Sequence, residues 1–263
     1  MQHEIYQYLF GLSGKVALVT GGAKGVGAMI ASTLVRAGCQ VIVTGRSQKA
    51  GEAFVSRLAK EGQVEFRAHD LVDGEQIKAL VEHIRQRYGR LDILVNNAGT
   101  FSAEAMGQVA QDSWDQLLEV NLRAPFMLIQ QALPLLERDA SQDPARVINI
   151  GSIGGLMPQS NGAYAYGCSK AGVHQLTRML ASDLRNRGVT VNAIAPGYFP
   201  SDMTAGFFEA VPNLEQQMLE AIPAGRFGSA EDIGGTVVYL SSRASAYLTG
   251  TVIQLDGGLL VAP

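Results

Sequence analysis

The 263-residue sequence is poor in charge, cysteine and histidine, and each shortage removes a class of function. Charged residues make up 17% and balance to a formal −3, which leaves no electrostatic footprint for nucleic acid or an anionic membrane surface. Two cysteines, Cys39 and Cys168, cannot build a disulfide framework and form no Cys-x-x-Cys pair. Four scattered histidines show no metal-ligand spacing, so no metal is expected. No apolar run approaches the roughly 20 residues of a membrane span. Residues 1–10 carry Glu4 but no Lys or Arg, and so lack the basic start of a signal peptide. The expectation is a cytoplasmic protein that meets neither membrane nor nucleic acid.

What the chain does have is apolar residues, at 47%, and 30 glycines. Short, mostly continuous apolar runs at 15–20, 40–44, 64–69, 91–96, 146–151, 189–195 and 251–255 read as strands buried on both faces. Helix-period stretches at 26–37, 48–60, 74–88, 111–137, 166–187 and 230–241 separate them. Gly38 and Gly89 stand where helix C-caps belong. The pattern predicts an α/β fold: a doubly wound, seven-stranded parallel sheet with helices on both faces. No repeat or linker marks a boundary, so 1–263 reads as one domain. Residues 1–11 form an N-terminal extension, and the poorly patterned 198–228 forms a substrate loop.

The first strand runs into Thr20-Gly21-Gly22-Ala23-Lys24-Gly25-Val26-Gly27 and then a helix. Glycines at 21, 25 and 27 permit a tight turn and close approach of a pyrophosphate, and the helix start offers free N–H groups. No acidic residue follows the second strand where NAD would be selected. Gly45 and Arg46 stand there instead, and with Lys24 they suit a 2′-phosphate, so NADP(H) is the preferred cofactor. Asp70-Leu71 after the third strand fits an adenine contact, or Asp70 serves as a helix N-cap. The segment Asn96-Asn97-Ala98-Gly99 closes the fourth strand, where its amides can tie strand ends together beside the cofactor.

Tyr166 and Lys170 lie four apart on a predicted helix, hence on one face. An ammonium near a phenol favours its ionised form and makes the tyrosine a competent acid/base. Ser152 follows the fifth strand, where its hydroxyl could bond a substrate carbonyl. Asn121, mid-helix, can mark a local distortion with a bound water. Tyr164 has Cys168, not Lys, four residues on, and His174 reads as two residues off the Tyr166/Lys170 face, packed or in solvent. Cys168 has no histidine placed to activate it.

In this order and spacing, the 20–27 turn, Asn96–Gly99, Asn121, Ser152 and Tyr166-x-x-x-Lys170 resemble the short-chain dehydrogenase/reductase family, as do Pro196-Gly197 and Asp256-Gly257-Gly258, over about 12–258. The look is closest to bacterial NADP-dependent 3-oxoacyl reductases. The resemblance implies a Rossmann-like fold, usually a homotetramer, with Tyr166 as acid/base. It implies Lys170 on the nicotinamide ribose, lowering the tyrosine pKa, Ser152 orienting the carbonyl, and Asn121 holding a relay water. Ser201 occupies a slot where the family often has a threonine for the nicotinamide carboxamide. Of the two arginines that dock acyl carrier protein in fatty-acid-synthesis members, one slot is Met127 and the other Arg187, which puts carrier docking in doubt. The leading expectation is an NADPH-dependent carbonyl reductase acting on a small-molecule ketone or acyl thioester. A secondary-alcohol or polyol dehydrogenase and a non-catalytic NADP-binding scaffold are the rivals. Phe199, Met203, Phe207, Phe208 and Met218 make either a greasy lid or a loop packed on the body.

Overall fold

The structure, a computed structural model, describes residues 2–139, 143–158, 162–200 and 213–261. Its strands are β1 (Val16–Thr20), β2 (Gln40–Gly45), β3 (Val64–Ala68), β4 (Ile93–Asn96), β5 (Ala145–Ile150), β6 (Val189–Pro196) and β7 (Val252–Leu255). They form one sheet in the order β3-β2-β1-β4-β5-β6-β7, and every pair is parallel. The helices are α1 (Gln2–Phe10), α2 (Gly25–Arg36), α3 (Gln48–Leu58), α4 (Gly74–Tyr88), α5 (Gln111–Leu118), α6 (Ala124–Leu136), α7 (Tyr164–Leu184), α8 (Leu214–Ala221) and α9 (Ala230–Ser241).

Alternation along the strands loads both faces. From β1, Ala17 and Val19 pack with Val41, Val43, Ile93 and Val95 against α2, α3 and α9. Val16 and Leu18 turn the other way, with Ile42, Leu94, Val147 and Val191, to meet α4, α6 and α7. Each such side chain contributes about 1.5–3 kcal/mol on burial, which is why continuous apolar runs mark these strands. Gly89 closes α4 with φ 69°, and Gly38 follows α2 with φ 86°, both left-handed as their positions require.

Two elements depart from the expectation. Residues 2–10 are helical, and Arg243 stacks over the Tyr8 ring at 4.9 Å, a cation–π contact that holds α1 to the body. The long helical stretch 111–137 is divided: α5 passes into a π-helical segment, Glu119–Arg123, before α6. The wide turn falls on Asn121, where the mid-helix amide had signalled distortion. Among the described residues, no helix is long and apolar enough to cross a membrane.

Candidate active site

The strand order reverses between β1 and β4, where Val19 pairs with Val95, and the crevice outside these strand ends is where ligands of such sheets bind. The glycine turn builds one wall. Gly21 holds φ 62°, and a Cβ on it would lie 3.0 Å from the Ala98 Cα. A Cβ on Gly27 would fall 2.4 Å from both the Gly21 carbonyl and the Asn97 Nδ2, so α2 can seat against the turn only with glycine there. Asn97 fastens the two strand ends by donating Nδ2 to the Thr20 carbonyl at 2.9 Å, while the Asn97 and Ala98 N–H groups both donate to Thr20 Oγ1 at 2.9 Å.

Helices α3, α4 and α9 begin under capping side chains (Ser47, Asp73 and Ser229). Helix α2 does not: Lys24 is its N-cap and bonds no first-turn N–H through its side chain. Gly25, with φ 50°, starts that helix, and Val26 turns its side chain to the core, leaving its main chain at the crevice. An uncapped helix start beside exposed Lys24 and Arg46 fits the phosphates of a dinucleotide, and the small Gly45 leaves space at the end of β2. Asp70 is not an N-cap. Asp73 caps α4, and Asp70 instead accepts from Val72 N at 3.1 Å in a local turn, half-buried, with Leu71 packed on the core beside it. Pro196 ends β6 and Gly197 donates to the Leu255 carbonyl at 2.9 Å, so this pair sits at the carboxyl ends of β6 and β7. Ser201 lies outside the described residues, as do Met203, Phe207 and Phe208. Phe199 is buried at 5% exposure against Gly228, part of the body and not a lid.

On the other side, Ser152, Tyr166 and Lys170 meet. The extended Ser152 accepts the Gly154 N–H at 3.0 Å and starts a short 3₁₀ turn, Ile153–Gly155. Burial pushes the Tyr166 phenol above its ordinary pKa, and a hydrogen bond with Ser152 pulls it partly back. Lys170 is buried, donates Nζ to the Ile150 carbonyl at 2.9 Å, and lies 5.7 Å from the centre of the Tyr166 ring. Burial lowers it to about 8. Burial and Ser152 set the shift of the tyrosine, and the lowering expected from Lys170 is not among its causes: the ammonium bonds the main chain, 5.7 Å from the ring centre. Asn121, 1% exposed, places Oδ1 on Thr100 N at 2.8 Å and Nδ2 on the Thr100 carbonyl at 2.9 Å and on Ser169 Oγ at 3.1 Å. Its amide thus holds the loop after β4. Gly99 lies between: a Cβ there would be 3.2 Å from Asn121 Oδ1 and 3.6 Å from Lys170 Nζ.

His174 is misplaced by the sequence reading. At four residues beyond Lys170 it continues the same helical face and is buried at 2% exposure. It presses on Gly151 so closely that a Cβ there would lie 2.1 Å from Nε2, and burial lowers its pKa to about 4. Arg187 is ion-paired with Glu137, and Met127 is half-buried against the core. Cys39 is buried with its thiol pushed up to about 12, and Cys168 is exposed. Phe101, which no motif marks, stacks on Tyr166.

Residues 21–260 match the family described as Enoyl-(Acyl carrier protein) reductase. The chain is 43% identical over 250 residues to the rhamnolipids biosynthesis 3-oxoacyl-[acyl-carrier-protein] reductase of Pseudomonas aeruginosa, covering 95% of this chain and 97% of that protein. It is 38% identical over 248 residues to the 3-oxoacyl-[acyl-carrier-protein] reductase FabG of Staphylococcus aureus, covering 93% and 98%. Among solved structures, the Pseudomonas aeruginosa RhlG/NADP active-site complex superposes with a TM-score of 0.91 at 42% identity, over 96% of this chain and 98% of that one.

Proposed function

Because the chain belongs to the short-chain dehydrogenase/reductase family, we propose that it is an NADPH-dependent carbonyl reductase whose preferred substrates are 3-oxoacyl compounds. The observation that carries this reading is the Tyr166 phenol, hydrogen-bonded to Ser152 and with Lys170 5.7 Å from its ring centre at the sheet's carboxyl edge. The similarity to two 3-oxoacyl reductases and to an NADP complex supports the substrate class and the cofactor.

The reduced nicotinamide supplies hydride to the carbonyl carbon. Tyr166 gives its proton to the carbonyl oxygen, and the Ser152 hydroxyl bonds that oxygen as charge develops on it. Lys170, whose Nζ donates to the Ile150 carbonyl, would hold the nicotinamide ribose through its remaining N–H groups. Asn121 fixes the loop after β4 and would hold a relay water. Gly21, Gly25, Val26, Gly27, Asn97, Ala98 and Gly99 would form the main-chain cradle, while Lys24 and Arg46 would select the 2′-phosphate, Asp70 and Leu71 would border the adenine, and Pro196 and Gly197 would border the nicotinamide. At neutral pH the phenol is in the protonated form that carbonyl reduction requires. The engagement of Arg187 by Glu137 leaves carrier-protein docking weakly supported, so acyl thioesters and free ketones both belong to the substrate class. A cytoplasmic homotetramer completes the reading. It is supported by two free cysteines and by exposed apolar residues such as Met179 and Tyr247 that a partner subunit would cover.

The test is NADPH oxidation with a panel of 3-oxoacyl thioesters, ketones and enoyl thioesters. Turnover with 3-oxoacyl substrates, cut roughly a thousandfold in Tyr166→Phe while NADPH binding survives, is expected. Silence across the panel, or an active Tyr166→Phe enzyme, overturns the reading. In the same assay Arg46→Asp should lower NADPH use far more than NADH use.

A further inference from the structure

The loop between β4 and α5 places an aromatic ring where the reaction as described has no use for one. Phe101, half-buried, has its ring centroid 5.0 Å from that of Tyr166, with the planes at 65° in an edge-to-face pair. Two anchors fix it there. Just before it, both main-chain polar groups of Thr100 are held by the Asn121 amide, at 2.8 and 2.9 Å. Just after it, the Glu104 N–H donates to the Gly162 carbonyl at 3.0 Å, two residues before α7 begins. Gly162 has φ 77°, and a Cβ on it would lie 2.5 Å from the Glu104 carbonyl, so this junction admits glycine alone. The Glu104 carboxylate in turn accepts from Ser102, Ser113 and the Ala110 N–H, which stiffens the span from 102 to 113. The loop is thereby tied to the π-helical segment on one side and to the entry of the tyrosine-bearing helix on the other.

The phenol ring is therefore bounded by Lys170 on its own helix, by Ser152 from the loop after β5, and by Phe101 from the loop after β4. The first two are polar and engage charge or hydroxyl. Phe101 offers an apolar surface to the ring itself. An edge-to-face contact of this kind biases a rotamer by roughly two- to tenfold.

We propose that Phe101 is a positioning residue for the proton donor: its ring bars Tyr166 from swinging away from Ser152 and keeps water off the phenol. The inference rests on the reading of Tyr166 as the proton donor. It accounts for a contact outside every motif, and for the investment of Asn121 and Glu104 in the geometry of one loop. Burial is the largest cause of the raised Tyr166 pKa, and Phe101 is part of what buries it.

The experiment compares wild type with Phe101→Ala, Phe101→Leu and Phe101→Tyr in two ways. First, tyrosinate absorbance is titrated against pH, with Tyr166→Phe as the background that isolates this phenol. Second, kcat, KM and the pH profile of ketone reduction are measured. In Phe101→Ala, Tyr166 should ionise at lower pH and the basic limb of kcat should move with it. Its kcat should fall about tenfold with NADPH affinity unchanged. Phe101→Tyr, which keeps the aromatic edge, should restore both, and Phe101→Leu, which keeps bulk, should fall between. An unmoved phenol titration with unchanged kcat in Phe101→Ala overturns the proposal. If that variant fails to fold, the same null result in Phe101→Leu does so. The titration needs no turnover, so a failure of the reductase reading, seen as silence with every substrate, is distinguishable from a failure of this one.

Discussion

The two ends of the sheet both bury polar side chains, and they treat them in opposite ways. At the amino ends of the strands, charges answer one another. Asp92 accepts from Val16 N at 2.7 Å and from Arg138 at 2.6 Å, and pairs with Arg90 at 3.1 Å. Arg146, 1% exposed, reaches Asp143 and the Ser242 carbonyl, each at 2.8 Å, and Lys15 meets the other Asp143 oxygen at 2.5 Å. At the carboxyl ends, Lys170 is as deeply placed but has a single main-chain acceptor, and burial alone displaces its pKa. Tyr166 is displaced by burial in the opposite sense, toward its neutral form. One end answers its charges with opposite charges inside the fold, although Arg146 Nε is left without a partner; the other holds groups whose remaining demand a ribose or a carbonyl oxygen can meet.

If that contrast is right, cutting the amino-end network should damage stability and spare chemistry. Arg146→Met leaves Asp143 facing Lys15 alone and takes the guanidinium donor from the Ser242 carbonyl, which keeps only Ser245, and breaking a buried pair from one side costs about 3–5 kcal/mol. Urea unfolding should register that loss, with kcat per folded active site unchanged. A variant that unfolds normally but turns over slowly would erase the distinction between the two ends.

Much of this was legible in the sequence, for identifiable reasons. The strands at the sheet centre announce themselves because both faces are buried, so residues such as Val16 to Val19 have no solvent side to alternate with. The site motifs are legible because they are short and local: Tyr166 and Lys170 share a face by spacing alone, and Gly21 and Gly27 stand where side chains cannot. Their partners were not. Asn121 binds the main chain of Thr100, and Lys170 binds the carbonyl of Ile150, and a main-chain atom carries no residue-type signature. Phe101 lies in a loop without periodicity. His174 is legible as well, since 166, 170 and 174 are evenly spaced by four and so share one helical face. Helices α1 and α8 escaped because their apolar residues are half-buried or exposed and give little pattern, as Ile5, Tyr6 and Met218 illustrate.

The opposite cut, at the carboxyl end, should trade activity for stability. Lys170→Met removes a buried ammonium, so reduction should collapse while the protein becomes harder to unfold at neutral pH. The pH dependence fixes the sign. With a folded pKa of about 8 against an ordinary 10.5, folded and unfolded chains are both largely protonated below pH 8, and the cost of burying the charge is full there. Between about 8 and 10.5 the unfolded chain binds more protons than the folded one, so wild-type stability rises through that window. The advantage of Lys170→Met should be of order 3 kcal/mol at pH 7 and shrink toward zero by about pH 10.5. Taking the difference between the two proteins cancels the titration of other groups. A constant gap, or a less stable variant, would mean that Lys170 is compensated as fully as Arg146.

The finest division lies within the amino end itself. Arg90 and Arg138 both serve Asp92, but Arg90 is 55% exposed and Arg138 13%. An ion pair open to water gains little, because solvent screens it and the long side chain loses freedom to form it, so Arg90→Gln should cost less than about 1 kcal/mol. Asp92 keeps Arg138 and the Val16 N–H in that variant, so nothing buried is left without a partner. Should Arg90→Gln instead cost as much as Arg146→Met, the charges at this end would act as one cooperative network. A double variant of Arg90 and Arg138 would then show strong coupling, and burial alone would no longer rank their contributions.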